Sequence, residues 1–184
     1  MSSSPQLRLV TPVPPAPERR ELTLEALYED YAPYVGAVAS RLLGRASDVE
    51  DVVQDVFALA LRGLRRREDE REVKGWLAKV TVRRCLRQLR FRRLWGLLNS
   101  SPTIGYERLA EPSAGPEERR LVSEVYAALD RLPAHERIAW ALRHVEGESV
   151  EQVAVLCECS LATAKRRIAS AQDKLARRLG GRVR

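Results

Sequence analysis

Residues 149–175 restrict the possible folds more than any other part of the chain. Ser149 followed by Gln152 fits a capping box, in which each side chain bonds the other residue's backbone N–H. Val150, Val153, Ala154 and Cys157 then share one side of a short helix. After a break of about three residues, Ser160 offers a second N-cap. Beyond it, Leu161, Ala164, Ile168, Ala171 and Leu175 recur at spacings of three and four, one stripe of a longer helix. At about 100° per residue, Thr163, Arg166, Ser170 and Arg177 point away from that stripe, flanked by Arg167 and Lys174. Two capped helices joined by so short a turn read as a helix-turn-helix, and the basic outer face suits its second helix to the major groove of duplex DNA. The same charges on a solvated amphipathic helix would only keep it soluble, so the rest of the chain has to decide.

Upstream, the helical stripe continues in separate pieces. Thr23 is a good N-cap for a helix carrying Leu24, Leu27, Tyr31, Val35, Val38, Ala39 and Leu42, and Gly44 is its natural stop. Pro33 predicts a kink or a split within it. Ser47 with Glu50 forms another capping box, opening a helix whose core face is Val49, Val52, Val53, Val56, Phe57, Ala60 and Leu64. The charged run from Arg65 to Glu72 reads as a polar loop or a frayed helix end. A third helix opens near Val73, turns Trp76, Leu77 and Val80 inward and continues to about Trp95. From Gly96 to Pro116 the periodicity collapses into turn and linker chemistry. Two more helices follow, from about Glu117 to Arg131 and from Pro133 onward, the latter carrying Ile138, Ala141, Leu142 and Val145 and closed by Gly147.

The expected architecture is all-α: two small helical domains joined by a flexible linker, the C-terminal one containing the helix-turn-helix. Its boundaries are a Pro-rich disordered leader at 1–22, a first domain at 23–95, a linker at 96–116, a second domain at 117–180 and a tail at 181–184. Sparse aromatics beside plentiful Ala, Leu, Arg and Glu favour helices throughout.

Several function classes are excluded by composition. No apolar run approaches the ~20 residues of a membrane span, and the leader lacks the apolar core of a secretion signal. A cytoplasmic protein with no membrane insertion is expected. Cys85, Cys157 and Cys159 make an odd number without framework spacing, so free thiols are expected. Cys157 and Cys159, with His135 and His144, do not match the paired spacing of structural zinc sites, and no metal or cofactor is expected. No His, Cys or carboxylate cluster has a nucleophile–base arrangement, so an enzyme is not expected. A net charge of +7 makes polyanions plausible partners.

Charge is also unevenly placed. Between Thr23 and Leu61 seven acids face two bases, whereas between Arg62 and Trp95 thirteen Lys and Arg face four acids. Asp51, Gln54 and Asp55 share one helix face opposite the valines, a patch able to dock on a basic protein surface. A solvated helix face would look the same. In the basic third helix, Phe91 and Trp95 lie among arginines, the composition of single-strand binders, while Trp76 reads as core.

With these motifs in order, the chain resembles the extracytoplasmic-function (ECF) sigma factors of bacterial RNA polymerase. The resemblance runs through Leu27-Tyr-Glu-Asp-Tyr31, Asp48-Val-Glu-Asp-Val-Val-Gln-Asp-Val-Phe57, Gly75-Trp-Leu77, Leu132-Pro133, Arg143 to Ala154 and Ser160-Leu-Ala-Thr-Ala-Lys-Arg-Arg-Ile168. It implies binding to core RNA polymerase at the β′ clamp helices through Asp48, Asp51, Gln54 and Asp55. It implies capture of the melted −10 strand of promoter DNA along Trp76, Lys79, Arg83, Arg84, Arg87 and Arg90, with the Arg65–Glu72 loop nearby. Thr163, Lys165, Arg166, Arg167 and Ser170 would then address the −35 element as duplex. Such proteins are commonly held by an anti-sigma factor, although no residue here identifies one.

The chain departs from the family pattern in places. Arg83 and Arg87 stand where Asn and Asp are usual, so −10 specificity does not transfer. Arg84 falls on the apolar side of its helix. Glu158 takes the place of the usual turn glycine, at a cost if it must adopt positive φ, and Ala164 replaces a usual valine. Two other readings stay open on residues alone: a stand-alone helix-turn-helix regulator, which has no use for the acidic patch, and a degenerate sigma-like interaction module.

Overall fold

The computed structural model describes residues 24–63, 70–94, 106–110 and 113–180. The leader, Thr23, Leu64 to Asp69, Trp95, most of the expected linker and the tail lie outside the described residues, as does the Ser47 side chain. Seven α-helices follow one another: α1 (Leu24–Leu43), α2 (Ala46–Gly63), α3 (Glu70–Leu94), α4 (Pro116–Leu129), α5 (Ala134–His144), α6 (Val150–Leu156) and α7 (Leu161–Leu179). Among the described residues there is no strand.

Local chemistry sets the boundaries. Helix α1 ends where Gly44 adopts φ +73°, a left-handed stop that a residue with a Cβ takes only at a cost. Pro33 neither splits α1 nor ends it. Its ring is exposed, so the carbonyl it deprives of an N–H partner lies on the solvent side. Helix α2 begins at Ala46, so the Ser47 backbone already lies within its first turn. Ser149 and Ser160 do cap α6 and α7: their hydroxyls accept from the N–H of Gln152 at 3.0 Å and of Thr163 at 3.2 Å. Between them Glu158 turns the chain at φ +49°.

Helices α1, α2 and α3 form a bundle around Leu27, Val35, Leu42, Val56 and Leu77, each wholly buried. Burying a Leu or Val side chain contributes roughly 1.5–3 kcal/mol, so this face of the bundle is well sealed. The same apolar core continues into the second half of the chain, through Ile138 and Leu142 of α5, Val153 and Leu156 of α6 and Ala164 of α7. A second cluster packs Tyr106, Tyr126, Leu129, Trp140, Ala171 and Leu175 between α4, α5 and α7. The two halves are therefore docked, with α5 and α6 lying on α3.

Polar contacts seal the junction. The last turn of α1 has carbonyls that no helical N–H can reach. Tyr126 donates its hydroxyl to the Arg41 carbonyl at 2.8 Å, and Arg137 donates Nε to the Leu42 carbonyl at 3.0 Å and Nη2 to that of Leu43 at 2.7 Å. Within the segment expected to link the domains, Tyr106–Leu109 forms a 3-10 turn. Tyr106 is buried there, stacks on Tyr126 at 5.3 Å and donates to Asp130, which also receives Arg137.

Candidate polymerase and nucleic-acid interface

Asp51, Gln54 and Asp55 are all exposed on α2, as their spacing requires. They form one wall of an open groove of about 350 Å³ whose other wall is Arg84, Arg87, Gln88 and Phe91 of α3. Asp55 pairs with Arg84 across it at 3.2 Å. Asp48 does not join this patch. It is turned toward α3, where it accepts from Gln88 at 3.1 Å and pairs with the buried guanidinium of Arg92. Burial and the nearby guanidiniums of Arg45 and Arg137 push Arg92 down to about 10. That crowd of cations places Arg92 at the domain junction, a position that helical periodicity alone does not reveal.

The basic face of α3 is partly taken up within the molecule. Lys79, Arg83, Arg87 and Arg90 are exposed, while Trp76 is half-buried against the bundle core. Arg83 pairs with Glu158, at the turn of the helix-turn-helix, and Arg90 meets His135 on α5. Phe91 is 49% exposed and lines the groove.

On α7, Lys165 and Arg166 project freely into solvent. Thr163 is half-buried and accepts the Ser160 hydroxyl at 2.9 Å. Ser170 is not on the outer face: it donates to Glu136 of α5 at 3.1 Å, beside Lys174, which pairs with the same carboxylate at 2.6 Å. Arg167 is likewise half-buried, with Nη1 sealed from solvent. Leu161, read as part of the apolar stripe, is 39% exposed. The exposed cations of α7 thus fall in two groups, Lys165 with Arg166 in its first half and Arg177 with Arg178 in its last turn.

Cys157 is raised to about 11, first by burial and then by Cys159, so its thiol is a poor nucleophile at neutral pH. His135 lies below its usual value, first because of burial and then because of Arg167 and Arg90. No helix among the described residues is long and apolar enough to cross a membrane.

The sequence signals missed Arg137, Asp130, Tyr106, Tyr126 and the Arg41–Glu146 pair, whose second hydrogen bond is 2.8 Å. Arg137 had a detectable mark, because it sits on the apolar stripe of α5 beside Ile138 and Ala141, where a cation has to find acceptors.

Comparison with known proteins finds two family models along the chain. Sigma-70 region 2 matches residues 27–94 and Sigma-70, region 4 matches residues 123–175. ECF RNA polymerase sigma factor SigE of Mycolicibacterium smegmatis is 30% identical over 155 residues, 82% of this chain and 59% of that protein's length. The chain thus spans less than two thirds of that relative. ECF RNA polymerase sigma factor SigM of Mycobacterium tuberculosis is 30% identical over 142 residues, covering 77% of this chain and 69% of SigM. Among solved structures, the sigma factor RpoE from Bartonella quintana, crystallised with the anti-sigma factor NepR, aligns at a TM-score of 0.61 and 25% identity. That alignment covers 85% of this chain and 96% of RpoE. On this agreement of two region matches, relatives and fold, the chain belongs to the extracytoplasmic-function family of RNA polymerase sigma factors.

Proposed function

We propose that this chain binds core RNA polymerase and directs initiation at promoters, reading the −10 element as a melted strand and the −35 element as duplex. The observation that carries the reading is that one chain joins a region 2 match, with its exposed acidic face, to a region 4 match with a capped helix-turn-helix. Asp51, Gln54 and Asp55 supply the surface for the β′ clamp helices. Asp48 contributes from behind, by anchoring α2 to α3 through Gln88 and Arg92. Lys79, Arg83, Arg84, Arg87 and Arg90 line the path of the −10 strand, their guanidiniums and ammonium matched to phosphates. Trp76 supports that path from the core side.

For the −35 element, Lys165 and Arg166 are the direct contacts. Thr163 shapes the cap beneath them, Ser170 braces the helix against α5 through Glu136, and Arg167 flanks the face toward the duplex backbone. RpoE, a relative in fold and sequence, was crystallised with an anti-sigma factor. Control of this chain by an anti-sigma partner belongs to the same reading.

The test is a charge reversal. Asp51→Arg with Asp55→Arg in the full chain is expected to abolish co-elution with core polymerase while leaving the helical circular dichroism signal intact. Unchanged co-elution would remove the clamp assignment. Arg166→Ala is expected to weaken −35 duplex binding, with about 1–3 kcal/mol of lost discrimination at one base pair if it reads a base edge.

A further inference from the structure

The docked arrangement engages the DNA-contacting residues with the protein's own groups. Arg83 of α3 pairs with Glu158, and Arg90 of α3 meets His135. A promoter strand running along α3 cannot use these two side chains fully until Glu158 and His135 give them up. Glu158 is also the residue forced to φ +49°, in the region where glycine is the unstrained choice. A glutamate there costs backbone energy at the turn, yet its carboxylate is what reaches across to α3.

We propose that Glu158 is an autoinhibitory latch. By pairing with Arg83 it holds the helix-turn-helix against the strand-binding face of region 2, and the promoter strand or the polymerase must displace it. The proposal rests on the sigma-factor reading above. The latch is the adjustable part of a larger dock whose fixed part is the capping of the α1 carbonyls by Tyr126 and Arg137. Both partners of the latch are more than half exposed, at 63% and 56%. An exposed pair shifts an equilibrium modestly, by roughly two- to fivefold, and is screened by salt. That scale suits a contact that has to be broken on each use.

The experiment is energy transfer between dyes placed by unnatural amino acids at Glu50 on α2 and Asp173 on α7, with the three cysteines left in place. It is read without polymerase, and open-complex formation with core polymerase is titrated in parallel. Glu158→Gln removes the charge and keeps the side-chain size, whereas Glu158→Gly also relieves the turn. Both are expected to raise the open-to-docked ratio by about two- to fivefold at low salt and to lower the sigma concentration needed for half-maximal open complex. The exchange Arg83→Glu with Glu158→Arg, read by energy transfer alone, is expected to restore docking relative to Arg83→Glu by itself. Unchanged energy transfer in both Glu158 variants, or no recovery in the exchange, overturns the latch. Wild-type chain that forms no open complex with core polymerase, whatever the energy transfer shows, would instead overturn the sigma-factor reading.

Discussion

Arg137 holds its guanidinium inside the protein, where every N–H it carries has to find an acceptor. Each of its three nitrogens donates once, Nη1 to Asp130 and Nε and Nη2 to the carbonyls of Leu42 and Leu43, on two different halves of the molecule. Truncating it leaves two buried carbonyls without partners and takes one donor from Asp130, which keeps Tyr106, so Arg137→Ala should cost about 3 kcal/mol in chemical denaturation. Arg137→Lys should recover only part of that, because an ammonium lacks the planar fork. A loss below about 0.5 kcal/mol for the alanine variant would show that the dock does not depend on this residue.

His135 gives the junction a pH dependence. Its folded value is lowered, so the neutral ring is favoured in the fold, and this contribution is present above the ordinary value of 6.5 and lost as pH falls below it. Protonation would put a third cation beside Arg90 on α3 and Arg167 on α7. His144, stacked on Trp140 and lowered by burial and Arg143, acts in the same direction. The thermal midpoint should fall between pH 7.5 and 5.5, and His135→Gln should remove part of that fall; an identical slope in the variant would contradict the assignment. Among single residues, those facing solvent were the most legible in the sequence. Asp51, Gln54, Asp55, Arg166 and Arg177 stand where their helix faces placed them. Ser170 did not, because a wheel drawn for one helix does not know that Glu136 of α5 takes its hydroxyl.

At the level of elements, capping chemistry set the boundaries that matter for DNA. Removing either cap, as Ser149→Ala or Ser160→Ala, should cost about 1 kcal/mol, and the Ser160 variant should weaken −35 binding more, because it frees the first turn that carries Thr163 and precedes Lys165. Gly44 is the second punctuation point. A Cβ there would run into the Tyr106 ring in a left-handed turn, so Gly44→Ala should destabilise the dock by about 2 kcal/mol, readable as a lower denaturation midpoint. Helix existence and order were readable from the stripes, as were Gly44, Ser149 and Ser160. The two-residue gap after α1 lets α2 start at Ala46, ahead of the serine expected to open it. Pro33 did not break α1, because an exposed ring leaves its unpaired carbonyl to water.

For the whole molecule, the joining of the halves was the least legible feature. Stripes report which face of each helix is apolar, and the stripes of α5 and α6 are apolar whether they pack within one domain or also on α3. The shared core and the Arg137, Tyr126 and Arg41 contacts are long-range facts. The family was legible sooner, because an acidic helix, a basic helix and a capped helix-turn-helix in that order carry the resemblance, and the two region matches fall on them. The central claim is tested most directly by run-off transcription on a fragment pool with the purified full chain and core polymerase. Specific transcripts that appear only when both are present, and vanish with Asp51→Arg and Asp55→Arg, are the predicted result. No specific transcript from any fragment, with the chain alone protecting duplex DNA, would contradict it.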